Sequence, residues 1–251
     1  MNMKNLRALL LCLAMLINTA IHSVMAEDRV LCIGNSFTYV NDAPQLLTDI
    51  AASQGHTMKV VSSLEGGYTL KRHLIHDKTL NAISDGNFDY VFLQDQSQTP
   101  AYYGEAPRRC RLVARDAKEL ANRVRIYSCN ATIWMEQTWA YEAYNYGSFG
   151  SWEQFDRMLH RGAKKMAHKA HARLSPIGEA FALCRLEHPE INLYEADCHH
   201  QSASGAYLKA CVNYLLIYQQ PFTSEASNCN LDAQQAATLR HVAERTVLKK
   251  K

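Results

Sequence analysis

A serine, an aspartate and a histidine in this chain are placed for acyl-transfer chemistry. Gly34-Asn35-Ser36-Phe37-Thr38 follows directly on the apolar run Val30-Leu31-Cys32-Ile33. That puts the Ser36 hydroxyl at the C-terminal tip of a predicted first strand, on the edge where ligands gather in parallel sheets. Far along the chain, Asp197-Cys198-His199-His200 sets a carboxylate and an imidazole three residues apart. A serine hydroxyl is a poor nucleophile until a neighbouring imidazole takes its proton. The carboxylate then fixes the imidazole tautomer and stabilises the imidazolium. Taken alone, a serine after a strand serves equally well as a helix cap. The pattern is also not the G-x-S-x-G elbow, because Thr38 replaces the last glycine.

The elements that must position these residues read as strands alternating with helices. Strands are predicted at Arg29–Ile33, His56–Ser62 and Phe88–Leu93, and a short one at Leu174–Ile177. Val124–Tyr127 and Ile133–Gln137 both look strand-like, the second being the better core strand. Helices are predicted over Asn41–Gln54, from about Thr69, over Pro107–Arg123, Ser151–Ala172, Gly178–Glu187, Ser204–Tyr218 and Asp232–Leu248. Asn41 or Asp42 can cap the first of these, Pro44 suits its opening turn, and Leu46, Leu47 and Ile50 form its apolar stripe. Such alternation implies a parallel sheet with helices on both faces.

Four blocks then occur in order: Gly34-Asn35-Ser36-Phe37-Thr38, Glu65-Gly66-Gly67-Tyr68, Leu93-Gln94-Asp95-Gln96-Ser97 and Asp197-x-x-His200. The first three each follow a predicted strand, so a parallel sheet would bring them to one edge. Together they resemble the SGNH (GDSL-type) hydrolases, and within them an exported bacterial group with G-N-S-F-T, G-G-Y-T-L, L-Q-x-Q-S and D-x-x-H blocks. The resemblance covers essentially all of 27–251. It implies a three-layer α/β/α, flavodoxin-like fold with a central parallel sheet, and ester hydrolysis without a cofactor or metal. Carried over residue by residue, it makes Ser36 the nucleophile, His200 its base and Asp197 the group that orients His200. The oxyanion would be held by the backbone N–H of Ser36, the N–H of Gly67 (Gly66 being the alternative) and a third-block side chain. The family's asparagine is missing from that third block. Gln94 ends the third predicted strand and is the expected donor, with Gln96 the second candidate.

Other groups admit plainer readings. His199 neighbours His200 and competes with it as base; the D-x-x-H spacing favours His200. Asp197, His199 and His200 can form a zinc-ligand cluster, but no separate third ligand block accompanies them. His168 and His171 read as members of a solvated basic helix. Trp139, Tyr141, Tyr144, Tyr146, Phe149 and Trp152 crowd one segment. Some must pack core and loop; Trp139 and Tyr141 are the candidates for an aromatic wall against substrate.

The first residues read as an export signal. Lys4 and Arg7 precede an apolar run, and Ser23-Val24-Met25-Ala26 offers small residues for cleavage. The run is too short for a span of about 20 residues. Removing residues 1–26 leaves 225 residues, 25 basic against 24 acidic. That size suits one domain, and near-neutrality gives no reason to expect nucleic acid or an anionic membrane as partner. Export permits disulfides, but with seven cysteines beyond Cys12 and no CxxC pair, no pairing can be read. The expectation is a periplasmic or secreted serine esterase for small O-acyl groups, carbohydrate O-acetyl groups among them, with no stable membrane insertion after signal cleavage. A lipase-like or thioester hydrolase and a non-catalytic glycan-binding module are the alternatives.

Overall fold

The structure, a computed structural model, describes residues 27–105, 107–142 and 149–248. The expected signal segment and the pair Tyr144 and Tyr146 lie outside these residues. Five strands, β1 (Asp28–Gly34), β2 (Met58–Leu64), β3 (Tyr90–Leu93), β4 (Thr132–Glu136) and β5 (Arg173–Ser175), form one sheet in the order β2-β1-β3-β4-β5. Every pairing is parallel. This is the flavodoxin-like strand order, with its switch point between β1 and β3. Ser36 follows β1 directly, and so lies at that crevice.

Strands covered on both faces need apolar side chains on both. β1 shows how the period of two divides them. Val30 and Cys32 enter one core with Phe92 and Trp134. Leu31 and Ile33 enter the other with Val91, Leu93, Ile133 and Met135. The first core is closed by α2 (Ala43–Ser53), α8 (Ile177–Glu187), α9 (Ala203–Tyr218) and α10 (Ala233–Val247). The second is closed by α3 (Leu70–His73), α4 (Asp77–Asp85) and α6 (Pro107–Tyr127). Helix α7 (Trp152–Ala170) gives Phe155, Met158 and Leu159 to the first core, and Met166, Ala167 and Ala170 to the second. Among the described residues there are also the helices α1 (Ser36–Tyr39) and α5 (Thr99–Glu105).

Two differences from the sequence reading have physical causes. Val124–Tyr127 is the last turn of α6, not a strand, because Leu120, Ala121 and Val124 continue one buried stripe. The helix expected from Asn41 starts at Ala43; Asn41 and Asp42 take left-handed φ of 54° and 46°, and Asp42 caps α2 at the Gln45 N–H. Helices α4 and α5 were not expected. Among the described residues no helix is long and apolar enough to cross a membrane.

Candidate active site

Ser36 opens α1, a single turn capped by Asn35, whose Oδ1 accepts from the Phe37 N–H. Its hydroxyl lies 2.8 Å from His200 Nε2, and His200 Nδ1 lies 2.6 Å from Asp197 Oδ2. The three expected residues thus form one hydrogen-bonded chain. A tight loop makes the D-x-x-H spacing work. Tyr194 bridges Gln201, the Glu195 N–H donates to the His200 carbonyl, and Cys198 turns the chain at a left-handed φ of 64°. Asp197 Oδ1 accepts from the backbone N–H groups of His199 and His200 at 3.0 Å each. Partial burial would raise the Asp197 carboxyl, but the His200 bond, those two N–H groups and the neighbouring His199 hold it down at about 2. It is therefore ionised at any pH where an imidazole can act as base.

The nucleophile turn and the histidine loop are clasped by groups the sequence reading passed over. Asn41 Nδ2 donates to Glu195 Oε1 at 2.6 Å and to the Gln201 carbonyl at 2.9 Å. Gln201, fully buried, donates back to the carbonyls of Ser36 and Val40. Beneath the turn, Lys209 Nζ donates to the Phe37 carbonyl at 3.0 Å, to Thr38 Oγ1 at 2.9 Å and to Glu136 Oε2 at 2.6 Å. The one signal of this in sequence is a lysine inside the otherwise apolar stretch Ala206–Val212.

Two of the expected site residues do not face the cleft. Gln94 Oε1 accepts from the Asn35 N–H at 2.9 Å and from the Thr38 hydroxyl at 3.1 Å, and its Nε2 donates to the Asp95 carbonyl. Its carboxamide is folded inward, over a glycine that leaves room for it: a Cβ on Gly34 would lie 2.6 Å from Gln94 Oε1. Trp139 is buried between Phe37 and Phe181, stacked at 4.8 and 4.2 Å, and its indole N–H holds the His199 carbonyl. It braces the histidine loop from behind rather than walling the substrate. Phe149 and Trp152 are buried, and His168 and His171 are exposed.

The cleft beside Ser36 has a volume of about 390 Å³ and is lined by Asn35, Ser36, Phe37, Gly67, Gln96, Ser97, Gln98, Tyr141, His199 and His200. Gly67 has φ 68°, a left-handed geometry that glycine adopts without cost. Gln96 is the third-block carboxamide on the wall; its Nε2 makes only a long, 3.3 Å contact with Ser97 Oγ. Tyr141 is pinned by a 2.6 Å bond to Ser97. A larger cavity, about 880 Å³, lies among Asp156, His160, Glu179 and Arg245 and shares no lining residue with the cleft. Its lining holds no serine or cysteine, whereas the cleft brings Ser36 against His200.

Two buried titratable groups support the site. His73 Nε2 contacts the Gly34 carbonyl at 3.0 Å and its Nδ1 contacts Thr79 Oγ1 at 2.7 Å. Burial pushes it down to about 4, against the pull of the Gly34 carbonyl, so the ring is neutral. Asp95 Oδ1 ties the second block to the third by accepting from the N–H groups of Leu70 and Gln96, while its Oδ2 is buried without a partner among the described residues. Burial pushes this carboxyl up to about 7; those N–H groups oppose the rise and Asp116 adds to it. The native state therefore holds a proton on Asp95 that the unfolded chain has lost, and the contribution of Asp95 to stability should fall as pH rises from about 4 to about 7. Asp95→Asn, which keeps an oxygen for both N–H groups, is expected to match the parent near pH 4 and to exceed it at pH 8. The gain is at most about 1.4 kcal/mol per pH unit of displacement. Urea unfolding at the two pH values measures it; equal differences at both would exclude a neutral Asp95. His73 is common to both proteins and cancels.

The thiols of Cys32, Cys129, Cys184, Cys198, Cys211 and Cys229 are unpaired. No family model and no curated protein sequence matches the chain. Solved structures do. A DUF4886 family protein from Bacteroides uniformis superposes with a TM-score of 0.73 at 21% identity, over 88% of this chain and 95% of its own. Axe2, an acetylxylan esterase from Geobacillus stearothermophilus, gives 0.57 at 14% identity, over 80% and 99%. TesA gives 0.52 at 15% identity, over 77% and 99%. At these identities the likeness establishes a shared fold.

Proposed function

We propose that this chain is a serine esterase of the SGNH type that hydrolyses small O-acyl esters, with O-acetyl groups of carbohydrates as the leading substrate class. The observation that carries the reading is the unbroken Ser36–His200–Asp197 chain at the switch point of the sheet. In the reaction, His200 Nε2 takes the Ser36 proton as Oγ attacks the ester carbonyl. The imidazolium then gives that proton to the departing alcohol, leaving an acyl-serine. Water, activated by the same imidazole, releases the acid. The oxyanion is met by the backbone N–H groups of Ser36 and Gly67. Gln96, the carboxamide on the cleft wall, takes the third position that sequence gave to Gln94. The carbohydrate assignment draws on the neutral hydrogen-bonding walls of the cleft and on the acetylxylan esterases that share the fold.

The same reading has residues 1–26 removed on export, so that the mature chain works in the periplasm or outside the cell. Material recovered from those compartments is expected to begin at Glu27 and to react rapidly with a fluorophosphonate, which labels only an activated serine. An ester panel on that material then ranks acyl groups and alcohols. The inward turn of Gln94 favours one other reading, a glycan-binding module that has lost turnover. Failure of the folded protein to label would select it.

A further inference from the structure

His199 has the fixed geometry of a recognition group. Its ring lies 4.2 Å from that of His200, and 5.3 Å from that of Tyr141, on the cleft wall. Its backbone is held at both sides: the N–H by Asp197 Oδ1, the carbonyl by the buried indole of Trp139. Its Nδ1 meets the Asp197 carbonyl oxygen at 3.0 Å, and a carbonyl can only accept, so Nδ1 carries the proton. The neutral tautomer that this bond selects leaves Nε2 unprotonated, and Nε2 has no partner among the described residues. That nitrogen is a hydrogen-bond acceptor held beside the group that protonates the departing alcohol oxygen.

We infer that His199 Nε2 accepts a hydrogen bond from a hydroxyl on the carbon next to the ester-bearing carbon, so that the cleft selects monoesters of vicinal diols over esters of simple alcohols. The inference rests on the esterase reading above and adds to it a named feature of the alcohol. When His200 Nε2 faces the ester oxygen, the neighbouring hydroxyl of a diol projects toward the adjacent ring. An alkyl group at that point would instead cover a polar nitrogen and leave it unpaired. One neutral hydrogen bond in a half-exposed site corresponds to a preference of about tenfold.

A pair of esters isolates the contact: 2-hydroxyethyl acetate and propyl acetate differ by a hydroxyl in place of a methyl. The parent enzyme is expected to favour the first in kcat/KM by about tenfold beyond the ratio of their alkaline hydrolysis rates. His199→Phe keeps an aromatic ring against His200 and Tyr141 and should bring the ratio down to the alkaline one. His199→Gln, which retains an acceptor, should keep part of it. A parent ratio equal to the alkaline one overturns the inference without reference to any variant. So does a preference that His199→Phe leaves intact. Turnover of neither ester, with no fluorophosphonate labelling, overturns the esterase reading and this one with it.

Discussion

Ser36→Ala is expected to lower ester turnover by about 10⁴-fold or more and to abolish fluorophosphonate labelling, while thermal unfolding is little changed. The hydroxyl contributes one hydrogen bond, to His200 Nε2, and the residue's backbone stays in the same turn. Members of such a unit are strongly non-additive, so losing the nucleophile alone removes most of what the unit supplies. Asp197→Asn should cost about as much, on the order of 10⁴, for a different reason. The amide oxygen can still accept from the His199 and His200 N–H groups. The amide nitrogen facing His200 Nδ1 can only donate, which forces the imidazole proton onto Nε2, where it faces Ser36 and cannot be a base. Gln96→Ala should fall by roughly 10² if that carboxamide holds the oxyanion. Steady-state kinetics on one acetate ester ranks the three. A parent-like rate for Ser36→Ala would exclude acyl transfer through this serine, and a parent-like rate for Asp197→Asn would exclude the tautomer argument.

That ranking also marks how far the residues alone can be read. β1 and β3 were legible because a strand covered on both faces is a short apolar run, as Val30–Ile33 and Val91–Leu93 are, each side chain entering one core or the other. Their parallel order then brings Ser36 and the third block to one edge. Gln94 was misplaced because a strand end shows where a residue stands and not which way its side chain turns. The deciding fact lies on the neighbouring strand, where Gly34 leaves room for a carboxamide to reach the Asn35 N–H. Trp139 was misplaced for a related reason. An aromatic beside the site can face substrate or brace the backbone that holds the base, and only packing against Phe181 separates the two. Asn41 and Gln201 carry no signal in sequence, since each works through a segment some 160 residues away.

Lys209 is the case where sequence held a signal whose meaning only packing supplies, and it leads to the largest expected effect on stability. Lysine is almost never fully buried unless paired, yet its side chain and that of Glu136 are each only 2% exposed. All three ammonium donors have acceptors: Glu136, Thr38 and the Phe37 carbonyl. Glu136 in turn accepts from Asn213, which Ser175 orients. Lys209→Met would leave the carboxylate buried with one neutral partner and strip the nucleophile turn of its anchor. Breaking a buried pair from one side costs about 3–5 kcal/mol, a large part of the 5–15 kcal/mol typical of a folded domain. Adding Glu136→Gln to Lys209→Met removes the orphaned charge while keeping an oxygen for Asn213, so the double variant should recover much of the loss. Its turnover should stay low, because the Phe37 carbonyl and Thr38 lose the ammonium beneath them and Thr38 is left with its hydroxyl bond to Gln94. Urea unfolding of the single and double variants, with turnover measured well below the unfolding transition, separates the two roles. A single variant within about 1 kcal/mol of the parent would mean that the pair is not the anchor described, and a double variant that is both stable and fully active would mean that the turn holds Ser36 without it.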